Sequence, residues 1–165
     1  MNTTRRHALV LGLYPTTRGF AFALFEGPLS PYDWGISHMK GDKNEWCLKK
    51  ISGLLDRYTP DAVVLQDMSS AGTWRVQRIR TLNSEIAKLA EARGLPVFSY
   101  SRRQVRPYFP PPHTRQKIAE TIAQHIPAFE SFLPPVRKIW NSENPHMSLF
   151  DVAALVLTHY QVGAD

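Results

Sequence analysis

The sequence is short of cysteine and of long apolar runs. Its 165 residues include one cysteine, Cys47, which excludes an internal disulfide and a cysteine-based metal cage. Cys47 falls on the apolar stripe of a predicted helix, so we interpret it as a small core residue. No apolar run reaches the roughly 20 residues of a membrane span, and residues 1–6 lack the apolar core of a signal peptide. We therefore expect a cytoplasmic protein that makes no membrane contact.

Acidic residues are outnumbered. Twenty Lys and Arg stand against fourteen Asp and Glu, a formal net charge of +6 at pH 7, which favours a polyanionic partner. Three aromatic residues, Trp74, Tyr108 and Trp140, lie close to groups of basic residues. Arginine beside aromatic side chains is typical of surfaces that bind nucleic acids, although a solvated basic face explains each group singly. The candidate nucleic-acid contacts are Arg18, Arg75, Arg78, Arg102, Arg103 and Arg106.

The hydrophobic pattern predicts one α/β domain over residues 1–165. Apolar runs of strand length and helical periodicity alternate along the chain. They predict strands at 8–13, 20–25, 33–39, 62–65 and 96–100, helices at 44–58, 74–93 and 114–126, a loop at 108–112, and a last helix with Ser148 as its N-cap. This order predicts a mixed five-stranded sheet flanked by helices, in which three antiparallel opening strands are followed by parallel strands.

Four strings in this order resemble the RuvC-like branch of the RNase H-like superfamily, a group of Holliday junction resolvases and related structure-selective nucleases. They are residues 10–22, which contain Gly12-Leu13-Tyr14-Pro15, residues 60–67, which end in Leu65-Gln66-Asp67, residues 94–106, and residues 148–159, which begin Ser148-Leu149-Phe150-Asp151. Together they cover nearly the whole chain. The resemblance implies the RNase H-like fold and a nucleic-acid substrate.

The resemblance also shows which acids are missing. Members of that family hold two Mg²⁺ ions, about 4 Å apart, with carboxylates from two strand ends and the last helix. At the matching positions this sequence has Tyr14, Gln66 and Ser148, and only Asp151 is an acid, a possible metal ligand. A phenol with a pKa near 10 and an amide are both neutral at pH 7. The resemblance therefore implies a nucleic-acid scaffold whose catalytic carboxylates are largely lost, a pseudo-nuclease without a metal cofactor.

A rearranged set of acids is the alternative. Asp67 follows the lost strand acid directly, and Glu143 precedes the last helix. With Asp151, and with His146 or His159 as a further ligand, they would form a catalytic site for one Mg²⁺ ion. The simpler interpretation makes Glu143 a solvated loop acid, Asp67 a turn or capping residue and His159 a helix C-terminal cap.

Three functions stay open on the sequence alone. The first is a RuvC-like protein that binds branched or structured DNA, rather than RNA, without cleaving it. The second is a metal-dependent endonuclease that uses the rearranged acids. The third is a non-catalytic scaffold subunit. The family associates through helical faces, so the resemblance implies a homodimer as well.

Overall fold

The computed structural model describes residues 8–39, 42–69, 75–138 and 140–163. Five strands run through these residues: β1 Val10–Pro15, β2 Gly19–Phe25, β3 Pro31–His38, β4 Ala62–Gln66 and β5 Val97–Tyr100. The α-helices in the same residues are α1 Lys43–Tyr58, α2 Gln77–Ala92, α3 Arg102–Val105, α4 Arg115–His125 and α5 Met147–Val162. Two 3₁₀ turns follow α3 and α4, at Arg106–Tyr108 and Pro127–Phe132.

The strands form one mixed sheet in the order β3-β2-β1-β4-β5. β1 pairs antiparallel with β2, and β2 pairs antiparallel with β3. β4 lies parallel to β1 on its other side, and β5 lies parallel to β4. The predicted arrangement of an antiparallel meander followed by parallel strands is confirmed.

Both faces of the sheet are covered, which explains why β1, β2 and β4 are apolar along their whole length. Alternate residues of the strands point to opposite faces. One set packs against α4 and α5, and the other packs against α1 and α2. Cys47 is completely buried in the second layer, which confirms its interpretation as a core residue.

A close approach between β1 and α5 fixes the position of the last helix. A Cβ atom on Gly12 would lie 2.5 Å from Val156 Cγ2 and 2.8 Å from Val152 Cγ2. No real pair of atoms packs that tightly, so α5 reaches its place on the sheet because position 12 has no side chain. This contact sets the depth at which the first turns of α5 lie against the end of β1.

Several predicted boundaries were wrong by a few residues. The first strand is Val10–Pro15 rather than 8–13, since its last residues, Tyr14 and Pro15, still pair with β2. The third strand begins at Pro31, two residues before the predicted start. Helix α2 begins at Gln77, after Val76 as N-cap; Trp74, where the prediction started it, lies outside the described residues.

Two local features near the sheet edge differ from the prediction. Ser148 is not an N-cap, because α5 begins at Met147 and the Ser148 hydroxyl donates to the Pro145 carbonyl at 2.8 Å. The short helix α3 was not predicted at all. Ser101 and Gln104 form a reciprocal capping box around it, which stabilises a helix too short to show periodicity. None of the described helices combines the length and apolar character needed to cross a membrane.

Candidate functional site

The site lies at the carboxyl-terminal edge of the two central parallel strands. Gly12 of β1 pairs with Val64 of β4, so Tyr14 and Gln66, each two residues further, point from the same face at that edge. Helix α5 covers this face and brings Asp151 to the same place. Tyr14, Gln66 and Asp151 line a common cavity of about 230 Å³, and Ser148 lines the neighbouring cavity with Tyr14. The fold thus assembles the four positions that the sequence resemblance aligned.

An arginine pairs with Asp151, the one acid that the sequence keeps at the positions of the family site. Arg115, the first residue of α4, donates from Nε to Asp151 Oδ1 at 3.0 Å and from Nη2 to Oδ2, a bidentate pair. Its remaining nitrogen, Nη1, forms an ion pair with Glu143. The Asp151 side chain is 15% exposed and the Arg115 side chain 34% exposed. One guanidinium group is therefore shared by both carboxylates near the site, and the three side chains together keep a formal charge of −1.

The electrostatics of Arg115 favour this pairing. Burial by itself lowers the pKa of the guanidinium, but the hydrogen bond and the charge of Asp151 outweigh burial and raise the pKa above its ordinary value. Tyr14 and Glu143 act in the same direction. Arg115 is therefore a permanent positive charge beside Asp151, the one position of the site where the sequence keeps a family acid.

A second arginine occupies the strand ends. Arg75 Nη1 donates to Gln66 Oε1 at 3.0 Å, and Nη2 donates to the Pro15 carbonyl. The same guanidinium lies over the ring of Tyr14, with its carbon 4.9 Å from the ring centroid. Arg75 thus joins the ends of β1 and β4 through three contacts, and it covers Tyr14 and Gln66, the two positions where the resemblance would place strand carboxylates.

Tyr14 is a neutral phenol in this environment. Burial raises the pKa of its hydroxyl above the ordinary value of 10.0, and Asp151 raises it further, while Arg75, Arg115 and Arg102 oppose the shift without reversing it. Divalent cations such as Mg²⁺ need several carboxylate or carbonyl oxygens that converge. Here the donor set is a neutral phenol, an amide oxygen held by Arg75, a hydroxyl committed to Pro145 and a carboxylate held by Arg115. These residues do not fit a pair of Mg²⁺ ions.

The acids of the rearranged set do not all meet. Glu143 and Asp151 come together on Arg115, whereas Asp67 accepts from the Ser69 amide at 2.9 Å and the Ser69 hydroxyl at 2.6 Å, as a turn residue does. Within the described ranges, no three His, Cys, Asp or Glu side chains are grouped so as to hold a metal ion.

The two candidate histidine ligands have aromatic partners. His159 Nδ1 lies 2.7 Å from the Tyr100 hydroxyl, and its ring packs on Phe98. His146 packs edge-on against Phe132. The pKa of His159 is lowered by burial, so its ring is neutral at pH 7.

The six predicted nucleic-acid contacts divide into two groups. Arg18, Arg102, Arg103 and Arg106 are exposed, and within the described residues their guanidinium groups make no hydrogen bond or ion pair. Arg75 and Arg78 are half-buried and already engaged. Arg78 donates to the Thr16 and Thr17 carbonyls and to Asn44, so it holds the turn between β1 and β2.

Arg115 is the residue of the site that sequence reasoning missed. Its partner Asp151 lies 36 residues further along the chain, so no local pattern connects the two. The nearest signal is Thr114, which caps α4 and fixes where the following arginine begins the helix.

A basic groove runs along this edge of the sheet. It consists of two cavities, of about 470 Å³ and about 640 Å³, which share Arg18, Arg115 and residues 142–145. The cationic or titratable nitrogen side chains that line it are Arg18, His38, Arg75, Arg102, Arg115 and Arg137. Among the described lining residues the single acid is Glu143, which is paired with Arg115. The groove is therefore strongly positive.

No family model and no curated protein matches the sequence. Solved structures do match. A Thermus thermophilus RuvC structure in complex with a Holliday junction substrate is 16% identical, with a TM-score of 0.65 over 95% of this chain and 96% of that one. A second structure of the same Thermus thermophilus protein is 14% identical, with a TM-score of 0.66 over 94% of this chain and 96% of that one. The yeast mitochondrial Holliday junction resolvase is 14% identical, with a TM-score of 0.59 over 95% of this chain and 81% of that one. The chain therefore has the RNase H-like fold in its RuvC-like form, as its sequence predicted.

Proposed function

We propose that this protein binds branched or structured DNA in the basic groove and does so without metal-dependent cleavage. The observation that carries the proposal is that arginines, rather than carboxylates, lie at the strand ends. Where the sequence resemblance predicts a cage of carboxylates, Arg75 and Arg115 lie over the substituted positions and pair with the acids that remain. The named partners of Arg75 are all neutral, so its charge stays available to attract phosphate.

The distribution of charge supports a phosphate-binding role. Arg18 and Arg102 are exposed at the groove, and their guanidinium groups are not committed to any partner in the described residues. Glu143, the single acid among the described residues that line the groove, forms an ion pair with Arg115. The net charge of +6 adds long-range attraction for a polyanion. The similarity in fold to a protein solved with a Holliday junction makes a four-way junction the first substrate to test.

The competing functions receive less support from the geometry. An endonuclease that uses Asp67, Glu143 and Asp151 requires these carboxylates to share a cation, whereas Asp67 serves a turn and the other two share Arg115. A scaffold subunit without nucleic-acid contact leaves the basic groove without a role.

Fluorescence anisotropy with a labelled four-way DNA junction tests the proposal. We expect binding that weakens as salt rises, because cations on the DNA are released when arginines contact phosphates. The double variant Arg18→Ala/Arg102→Ala should weaken binding on the order of 10-fold at 0.1 M salt and reduce the salt slope by roughly 2. The matched control is Lys49→Ala/Lys88→Ala, which removes two exposed charges from α1 and α2 on the other face of the sheet.

Each outcome of this experiment decides something. Equal losses in the two double variants would mean that charge in general, and not the groove, binds DNA. No binding to the junction at low salt would reject the proposal. Cleavage of the junction with Mg²⁺ or Mn²⁺, abolished by Asp151→Asn, would replace it with the endonuclease. Tighter binding to structured RNA than to the junction would show that the ligand is RNA and not DNA. Light scattering on the same samples tests whether the protein is a homodimer.

A further inference from the structure

The segment between the second 3₁₀ turn and α5 exposes large apolar side chains. Trp140 is 75% exposed and Val136 is 72% exposed, the two highest values among the large hydrophobic residues described. Leaving an indole ring in water is unfavourable, so such a residue on a surface often marks a place where something binds.

Local contacts hold this segment in place. The Pro134 carbonyl accepts from Gln116 Nε2 of α4 at 2.9 Å, which anchors the start of the segment. The Asn141 amide donates to the Lys138 carbonyl at 2.9 Å, which closes a turn around Trp140. Trp140 is thus presented outward by a hydrogen-bonded turn.

The surroundings of Trp140 are cationic. Arg137 and Val136 line the larger cavity of the basic groove, and Lys138 Nζ lies 5.4 Å from the centroid of the Trp140 ring. The chain has no acid between Glu130 and Glu143. An aromatic face with cations beside it matches a nucleotide, whose base stacks while its phosphate pairs with the cation. The same cations disfavour a basic or purely apolar protein partner.

We infer that Trp140 is a stacking platform for an unpaired base, with Arg137 and Lys138 as contacts for the flanking phosphates. The inference rests on the proposed function, and it narrows the ligand to DNA in which single-stranded nucleotides adjoin a duplex. The duplex lies in the basic groove, and the unpaired base reaches the Trp140 ring, whose chain neighbours Arg137 and Asn141 line the larger cavity of that groove.

The test compares a duplex with a single-stranded tail and the same duplex with blunt ends, each binding to the whole protein. The tail contains 2-aminopurine, whose fluorescence falls when the base stacks on an aromatic ring. We expect Trp140→Ala to weaken binding of the tailed duplex by about 5- to 100-fold and to abolish the fluorescence change. Binding of the blunt duplex should stay within about twofold, since its phosphates contact the groove. Trp140→Phe should retain most of the tail preference, and Tyr32→Ala, which removes an exposed ring at the opposite end of β3, should change neither.

The outcomes distinguish a failure of the Trp140 platform from a failure of the proposed DNA binding in the groove. If Trp140→Ala binds the tailed duplex as the wild type does, or loses both ligands equally, the platform is wrong while groove binding stands. If the wild type binds neither duplex nor junction, the proposed function itself fails. If the variant keeps tail binding but loses self-association in light scattering, the patch is an interface between copies of this chain, which overturns the platform.

Discussion

At the level of single residues, the charge of the site depends on Arg115. Its guanidinium donates two charge-assisted hydrogen bonds to Asp151 and forms an ion pair with Glu143. Because the Asp151 side chain is mostly shielded from water, its carboxylate needs a cationic or hydrogen-bonding partner. Arg115 fills that need from within the chain.

Removing Arg115 should expose this dependence. We expect Arg115→Met to lower the free energy of unfolding by about 1–3 kcal/mol, because Asp151 loses its partner in a partly buried site. Urea denaturation at pH 7 measures the loss. The double variant Arg115→Met/Asp151→Asn should recover most of it, since the shielded carboxylate is gone and the Glu143 side chain, 47% exposed, is solvated by water. Arg103→Met, an exposed arginine on α3, is the control and should change stability by less than about 0.5 kcal/mol. A double variant as unstable as the single one would contradict this account.

His159 should make stability depend on pH below neutrality. Burial lowers the pKa of its ring below the ordinary value of 6.5, so the folded state binds protons less readily than the unfolded chain. The stability that comes from the neutral ring is present above pH 6.5 and is lost as pH falls through the lowered pKa. We expect His159→Gln to flatten the fall in unfolding free energy between about pH 7 and pH 5. Above about pH 7.5 the two curves should run parallel, and a wild-type slope retained in the variant would show that other groups cause it.

At the level of elements, hydrophobic periodicity predicted those helices that are long and amphipathic. Helix α1 was predicted at 44–58 and lies at Lys43–Tyr58, because its core contacts recur at steps of three and four residues. Helix α3 has four residues, fewer than the pattern needs, and its capping box is visible only once the chain is known to turn there. The start of α5 was misplaced because the Ser148 hydroxyl bonds backward to Pro145 instead of forward to the helix amides.

The contact between β1 and α5 gives a prediction at this scale. Gly12→Ala places a methyl group against Val156 and Val152, which forces α5 away from the sheet. We expect a loss of about 1–3 kcal/mol in unfolding free energy and a loosened Asp151–Arg115 pair. Gly53→Ala is the matched control: apart from its chain neighbours and the backbone of its own helix, no atom lies within 4 Å of its Cβ position in α1, so helix propensity should stabilise the protein by about 0.5–1 kcal/mol. A stable Gly12→Ala variant would mean that α5 adapts to the added methyl group.

At the level of the whole molecule, the fold could be predicted from the sequence, but the contacts between the side chains of the site could be predicted only in part. The antiparallel meander followed by parallel strands follows from the order of the predicted elements. The positions of Tyr14, Gln66 and Asp151 at the site follow from the sequence resemblance. Their partners do not, because Arg75 and Arg115 reach the site from other segments through long side chains. Two predicted surface contacts, Arg75 and Arg78, proved to be engaged with the last residue of β1 and with the turn after it, again through long side chains.

The protein as a whole should be indifferent to divalent cations. We expect millimolar Mg²⁺ or Mn²⁺ to leave the Tm unchanged apart from a general salt effect, because the donor oxygens of the site are already paired. Thermal unfolding in NaCl at the same ionic strength is the control for the general salt effect. A saturable rise in Tm with Mn²⁺ that Asp151→Asn removes would show that a cation competes successfully with Arg115.

The two arginines around Tyr14 also determine what a single acidic substitution would do to the site. Arg75 lies over the Tyr14 ring, and Arg115 acts on the same hydroxyl from the side of Asp151. A carboxylate introduced at position 14 would therefore enter a space already claimed by two guanidinium groups and would close a salt bridge there. A metal site at this place would need acids to be introduced and both arginines to be removed together. Each acid introduced singly would instead pair with an arginine and strengthen the arrangement that excludes the metal.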